Sequence, residues 1–302
     1  MMDTWLRRLG LTKRSPDPSQ VGDLDTLSNE QLMALMRHEA HRIEKTIYND
    51  ILEKKYPVYR QKWVRVGEIL GLLERRQVSM DEPTIAWARQ IHVAFDDLPK
   101  QFIQPNSSPA QSIDNDAVDG FVDFVRARRS VRVWSDEQPD RETLLQLAKK
   151  LVDAARWAPT SGNRQPWRFK VLVDAEKKEL LRGIKEEHCV AAPLLVFVGM
   201  DTRVYGALGR SERGVYIDAG AAVMQMVLAA HRGGYGVCWN HFADDLVDSR
   251  KSNQVAYGRF TEVLGIGAHI APVAVVAVGR PAFIPPMPAR IDVEDLILPE
   301  PS

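Results

Sequence analysis

Several things are scarce in this sequence, and each scarcity removes a class of protein. There are two cysteines, Cys189 and Cys238, far apart and outside any CxxC or Cys/His ladder. A disulfide framework or structural zinc site is therefore not expected, and the compartment reads as reducing and cytoplasmic. Charge of one sign is not in excess: 40 Lys plus Arg meet 40 Asp plus Glu, a formal net charge of zero. General nucleic-acid binders carry a basic surplus and solvating tails a surplus of either sign, so neither is expected. Long apolar runs are missing too. The apolar run over residues 270–278 is interrupted by Pro272, and it is far below the roughly 20 residues of a membrane span. The start MMDTWLRRLGLTKRSPD is basic but has no apolar centre of a secretory signal. A soluble protein is expected. No P-loop, HExxH, GxSxG or GxGxxG between strand and helix is present, so a nicotinamide held in its own nucleotide-binding domain is not expected.

What is present is ordinary in bulk and particular in detail. The chain has 302 residues, 45% hydrophobic and 26% charged. A chain of that length buries about three quarters of its unfolded surface and needs no covalent staple. Residues 1–25 are polar and read as loose. Three helical patterns follow, over about 28–54, 57–76 and 81–95. Ser28 with Gln31 suits a capping box at the first start, and Leu32, Leu35, Met36, Ile43 and Ile47 recur at helical spacing. Residues 1–110 thus read as an all-α N-terminal module. Residues 104–118, rich in Pro, Ser, Asn and Asp, read as a linker.

Beyond residue 120 helices alternate with strands. Helices are expected over about 117–128 and 140–156. RFKVLVD (168–174) alternates, and LLVFVGM (194–200) is a continuous apolar run of the buried-strand kind. Residues 216–236 form a helix of small and apolar residues closed by Gly233 and Gly234, a helix for a core rather than a surface. Residues 237–239 and 272–279 are further strands. Residues 120–302 therefore read as an α+β layer domain.

Two stretches carry candidate chemistry. In Arg128-Arg129-Ser130-Val131-Arg132 an extended backbone places Arg128, Ser130 and Arg132 on one face. Two guanidinium groups and a hydroxyl suit a phosphate or a polar ring; taken alone, the residues read first as a solvated basic run after a helix. Ala158-Pro159-Thr160-Ser161-Gly162-Asn163-Arg164-Gln165-Pro166-Trp167 is a polar loop between a helix and a strand. Such loops on rigid scaffolds carry function, although Pro, Ser, Gly and Asn are also plain turn formers.

The order ARRSVRVW, then APTSGNRQPW, then an Asp-Ala-Gly-Ala-Ala helix, then GGYGVCW resembles the nitroreductase family of FMN flavoproteins, over residues 120–290. The resemblance implies a sandwich around a central mixed β-sheet and an intertwined homodimer with FMN at the interface. It implies that Arg128, Ser130 and Arg132 grip the phosphate and the pyrimidine side of the ring, with Arg129 at a position where the family accepts Arg or His. Pro159, Thr160, Ser161 and Asn163 would reach the flavin from the partner subunit, supported by Gln165. The backbone of Asn240 and His241 would lie near the reactive ring edge, and Arg290, after PPMPA, matches a late phosphate-binding arginine; Arg280 is a weaker candidate. Where the family often has an Asn and a Lys or Arg before its second buried strand, this chain has Ile184-Lys185-Glu186-Glu187-His188. Lys185 or His188 could substitute there, while His188 alone reads as a surface residue.

The implied activity is an FMN-dependent oxidoreductase, with NADH or NADPH as transient reductant and an electron-poor small molecule as acceptor. No side-chain acid or base is required, because hydride transfer needs positioning and an open ring face. The alternatives are an FMN-dependent oxidase or dehalogenase on a specific biosynthetic intermediate, and a flavin-binding scaffold that recruits a partner through its helical module. The motif His41-Arg42-Ile43-Glu44-Lys45 resembles one in helical extensions of some nitroreductase-like proteins. A module that caps the flavin cleft is one expectation; a solvated helix face is the other.

Overall fold

The continuous apolar runs become the centre of the sheet. A computed structural model describes residues 23–47, 51–96, 112–211, 213–242 and 251–300. In it β2 (Leu194–Asp201) and β4 (Ile270–Gly279) are buried at every position. They are flanked by β1 (Trp167–Leu172) and β3 (Gly236–His241), in the order β1-β2-β4-β3. All three ladders are antiparallel; the parallel component of the expected mixed sheet is the isolated bridge Ser130–Val237. Pro272 lacks the N–H that a central strand normally uses, and it is tolerated because the register slips opposite it, between Val198 and Gly199.

Side-chain alternation then builds two layers. Leu194, Val196, Val198 and Met200 face one way with Ala274, Val276 and Val278, and pack under α5 (Arg141–Ala155) and α8 (Arg213–Arg232). Leu195, Phe197, Val275 and Ala277 face the other way, with Leu181, Cys189, Cys238 and Phe260. Around that second face lie the short helices α6 (Ala175–Glu179) and α7 (Glu187–Val190), and α9 (Lys251–Val263). Burying both faces of a four-stranded sheet removes large apolar area from water and dominates the stability of this part.

The N-terminal part has its own core. α1 (Asn29–Ile47), α2 (Ile51–Arg75) and α3 (Pro83–Asp96) bury Leu32, Met36, Ile43, Ile69, Leu73, Ile85 and Phe95 among themselves. The capping box forms as expected: Ser28 N–H donates to Gln31 Oε1 at 3.1 Å and Gln31 N–H to Ser28 Oγ at 3.3 Å. The second helix differs from expectation, for it starts at Ile51 and runs through Pro57. The linker expected at 104–118 ends sooner as well. α4 (Asn115–Ala127) begins within it, with Asp114 accepting from Ala117 N–H at 3.0 Å as the cap. Residues 1–22 of the expected loose segment and 104–111 of the linker lie outside the described residues.

Candidate functional site

The basic segment is held against β3. Arg128 ends α4 and turns the chain to an extended backbone (φ −67°, ψ 136°). Ser130 then bridges Val237, and Val131 N–H donates to the Val237 carbonyl at 3.0 Å. Val131 packs inward against Gly236, where a Cβ would stand 2.9 Å from the valine side chain. The extended run therefore sends Arg128, Ser130 and Arg132 to the face opposite Val131. Burial lowers the pKa of Arg128, and the like charges of Arg290 and Arg129 push it the same way. Arg129 donates from Nη1 to the carbonyls of Arg126 and Arg128 at 2.6 and 2.9 Å, while its Nε is buried with no partner. Among the described residues none of Arg128, Arg129, Arg132 and Arg290 has an ion-pair partner within 4.0 Å. Cations gathered without a counter-charge repel one another, so the cluster favours an anion. Arg280 stands apart, paired with Glu137 at 3.2 Å.

The end of β3 adds a second group. His188 is not a solvated surface residue: its side chain is 14% exposed, Nδ1 lies 3.1 Å from Glu186, and Nε2 lies 3.0 Å from Asn240 Oδ1. The backbone carbonyl of His188 also accepts from Trp134 Nε1 at 2.9 Å. Lys185 donates to the carbonyl of His241, and its ammonium lies 3.9 Å from the centre of the Phe242 ring. Lys185 therefore meets the backbone of β3 one residue beyond Asn240. Burial raises the Cys238 thiol pKa while the charges of Arg132 and Arg128 oppose the rise, which ties this group electrostatically to the basic segment.

Lys185 makes this region sensitive to pH. Burial pulls its pKa down from 10.5 to about 8. Between those values the unfolded chain holds the proton and the folded chain does not, so the contribution of Lys185 to stability rises with pH across that window. Burial also pushes the thiol of Cys189 up to about 12, which acts in the opposite sense above about pH 9, so the effect of Lys185 is read against a variant. The unliganded wild type is expected to gain stability relative to Lys185→Met from pH 8 toward pH 10, read as the difference in melting temperature at each pH.

The loop 158–166 is set by long-range contacts. Ser161 N–H donates to both carboxylate oxygens of Asp218 on α8, at 3.0 and 3.1 Å. Tyr205 OH donates to the same carboxylate at 2.6 Å, and Trp167 Nε1 to the Asp218 carbonyl at 3.2 Å. Thr160 Oγ1 accepts from Gln165 N–H at 3.3 Å, and Gln165 Nε2 donates to Asn163 Oδ1 at 3.2 Å. Pro159 leads into this turn from the end of α5. The path is costly, because Gly162, Asn163 and Gln165 all have φ between 52° and 61°, the left-handed region that disfavours non-glycine residues. Gly162 has a second reason to be glycine, since a Cβ there would lie 2.1 Å from His38 Cδ2 on α1. Gly162→Ala is expected to lower stability by about 1–2 kcal/mol, read by denaturant unfolding, through strain and that clash.

The structure thus gathers the predicted residues into two supported groups. Arg128, Arg129, Ser130, Arg132, Asn240 and His241 are carried by β3 and its neighbours, with Arg290 adding its charge to Arg128. Pro159, Thr160, Ser161, Asn163 and Gln165 are carried by α8 and α1. Asp218, Tyr205, Arg37 and His38 were not among the predicted site residues. Asp218 had one local signal, as the lone acid inside the apolar stretch 216–230. A cleft of about 470 Å³ lined by Glu30, Arg168, Lys170, Arg203 and His269 lies toward β1, the opposite sheet edge, and involves none of the predicted residues. Among the described residues there is no cluster of His, Cys, Asp and Glu able to hold a metal ion, and no helix long and apolar enough to cross a membrane.

Fold and site together define a layered α+β protein with an anion-seeking cluster at one edge of its sheet. The profile of the nitroreductase family matches residues 125–188 and 184–280, just over half of the chain. The chain belongs to the nitroreductase family. One relative, from Archaeoglobus fulgidus, is 31% identical over 164 residues, covering 52% of this chain and 83% of its own length. Another, from Methanothermobacter thermautotrophicus, is 27% identical over 171 residues, covering 54% and 78%. Both bear the name NADH dehydrogenase/NAD(P)H nitroreductase. A crystal structure of a nitroreductase in complex with FMN from Desulfovibrio desulfuricans is 26% identical, with a TM-score of 0.46, covering 60% of this chain and 96% of that one.

Proposed function

We propose that the protein is an FMN-dependent oxidoreductase that takes electrons from NADH or NADPH and passes them to an electron-poor small molecule. The observation that carries this reading is the gathering of Arg128, Arg129 and Arg290 with no carboxylate partner and with a buried, unpartnered Arg129 Nε. Such a cluster fits a phosphate monoester, which offers several acceptor oxygens and two negative charges. Family membership and the names of the two archaeal relatives support the same reading.

In this reading Arg128, Ser130 and Arg290 hold the phosphate end, and Arg129 adds positive charge beside them. Arg132 and Lys185 place positive charge toward the pyrimidine end, where charge on a reduced flavin is stabilised and its potential rises. When bound, the flavin supplies a ring that accepts hydride from the nicotinamide and yields it to the acceptor in a second step. The backbone of Asn240 and His241 borders that ring edge. Pro159, Thr160, Ser161 and Asn163 shape the opposite wall from the second subunit of a homodimer, with Gln165 bracing the loop. Exposed Val118, Phe121 and Val122 on α4, with Ile291, Val293, Leu296 and Ile297 near the C-terminus, supply apolar surface for that dimer. Residues 1–110 act as a helical module beside a flavin domain of residues 120–302, in the cytoplasm. A narrower reading, an oxidase or dehalogenase on one biosynthetic intermediate, is favoured by α1 resting directly on Gly162.

Purified full-length protein mixed with FMN and titrated anaerobically with NADH and NADPH tests the proposal. Flavin uptake followed by bleaching with either nucleotide supports it. Flavin uptake with no bleaching by either moves the protein to the narrower reading or to a flavin-binding scaffold. Failure of the folded protein to take up flavin overturns it.

A further inference from the structure

We propose that Arg37 and His38 of α1 are positioning residues for the loop 160–165, so that the helical layer is a working part of the cofactor site. The first half of this inference stands on geometry alone; the second rests on the flavin reading above.

A loop with Gly162, Asn163 and Gln165 in the left-handed region relaxes unless its surroundings over-determine it. Asp218 fixes its first half through Ser161 N–H. The second half is fixed from α1. Arg37 donates Nε and Nη2 to the carbonyl of Arg164, at 3.3 and 2.9 Å. Arg164 itself folds back, donating Nη1 to Ser161 O at 2.6 Å and Oγ at 3.1 Å, with its guanidinium 5.7 Å from the centre of the Tyr205 ring. The His38 ring occupies the space that a side chain at position 162 would need.

The layer behind is braced as well. Glu39, fully buried, accepts from Lys62 Nζ of α2 at 2.9 Å, which restrains α1 from rolling on its axis. Arg37 is only 8% exposed and among the described residues has no ion-pair partner within 4.0 Å. A buried guanidinium is expensive, and burial draws this one down to about 10. Among the described residues its side-chain hydrogen bonds both go to one loop carbonyl 127 positions away. A helix packed only for its own core would put an apolar residue there. The placement is explained by the loop it holds.

The test uses the full-length protein as Arg37→Ala and Arg37→Lys variants, with hydrogen–deuterium exchange of peptides covering 158–166 and FMN affinity as readouts. Arg37→Ala is expected to speed exchange in that segment about tenfold and to weaken FMN about tenfold, as for loss of a charge-assisted bond. Peptides of β2 and α8 are expected to keep wild-type exchange, and Arg37→Lys, which retains a donor, to recover part of both effects. Unchanged loop exchange in a folded Arg37→Ala protein overturns the inference. If Arg37→Ala does not fold, Arg37→Lys carries the test, and wild-type exchange and affinity there overturn it. Faster exchange with wild-type flavin affinity leaves Arg37 a brace and overturns its place in the cofactor site. Should the wild type itself take up no flavin while Arg37→Ala still loosens the loop, the positioning role holds and the flavin reading falls. His38 has its own check: Gly162→Ala is expected to be less damaging to stability in a His38→Ala background, and equal damage in both backgrounds overturns the role of His38.

Discussion

Arg128→Ala is expected to lose FMN roughly 10- to 100-fold in affinity, and Arg290→Ala a smaller amount, while neither variant unfolds. A charge-assisted bond contributes about 1.5–3 kcal/mol, and about 1.4 kcal/mol is a factor of ten in affinity. Arg128 is half-buried and feels the charges of Arg290 and Arg129, so its bond to an anion would be little screened. Arg290 is exposed and among the described residues donates to its neighbouring carbonyl at 2.9 Å, so salt screens its contribution more. The unliganded protein should respond in the opposite sense. Removing one of several like charges relieves repulsion, so the melting temperature without flavin stays level or rises. Flavin titration and thermal unfolding of the same preparations separate the two effects. Full flavin retention in both variants would sink the assignment of the phosphate site.

The second large effect is expected at Asp218. Asp218→Ala removes the acceptor of Ser161 N–H and of Tyr205 OH inside a core where the residue is 4% exposed. Removing the acceptor of a part-buried N–H and of a buried hydroxyl that otherwise reaches the Gly214 carbonyl at 3.5 Å costs about 1–3 kcal/mol, read as a lower denaturant midpoint with the slope unchanged. The loop then loses its first anchor, and flavin affinity falls with it. Asp218→Asn keeps the shape and one acceptor oxygen, so it is expected to fall between wild type and alanine. A wild-type midpoint for Asp218→Ala would mean that the carboxylate does not anchor the loop.

The parts of the fold that were legible are those with local causes. β2 and β4 announce themselves as apolar runs because both of their faces are covered. The start of α1 is written in Ser28 and Gln31, since a capping box needs only four residues. The extended segment at Arg128–Arg132 and the polar loop at 158–166 were visible as motifs, and both turn out to be fixed by specific partners. What was illegible depends on distant residues. Pro272 inside a central strand makes sense only with the register slip opposite Gly199. His188, in a charged stretch, reads as solvated until Asn240 and Cys238 of β3 are brought to it. Pro57 suggests a helix start, yet α2 has already begun at Ile51. The contact of Arg37 with Arg164 spans 127 positions, and no periodicity or motif encodes it.

The most direct measurement is the visible absorption spectrum of the full-length protein with FMN, recorded anaerobically before and after NADH or NADPH. The account predicts bound flavin that bleaches with at least one nucleotide, and loss of that binding in Arg128→Ala. A folded protein that takes up no flavin, or one whose Arg128→Ala variant binds it as tightly as the wild type, would contradict the account.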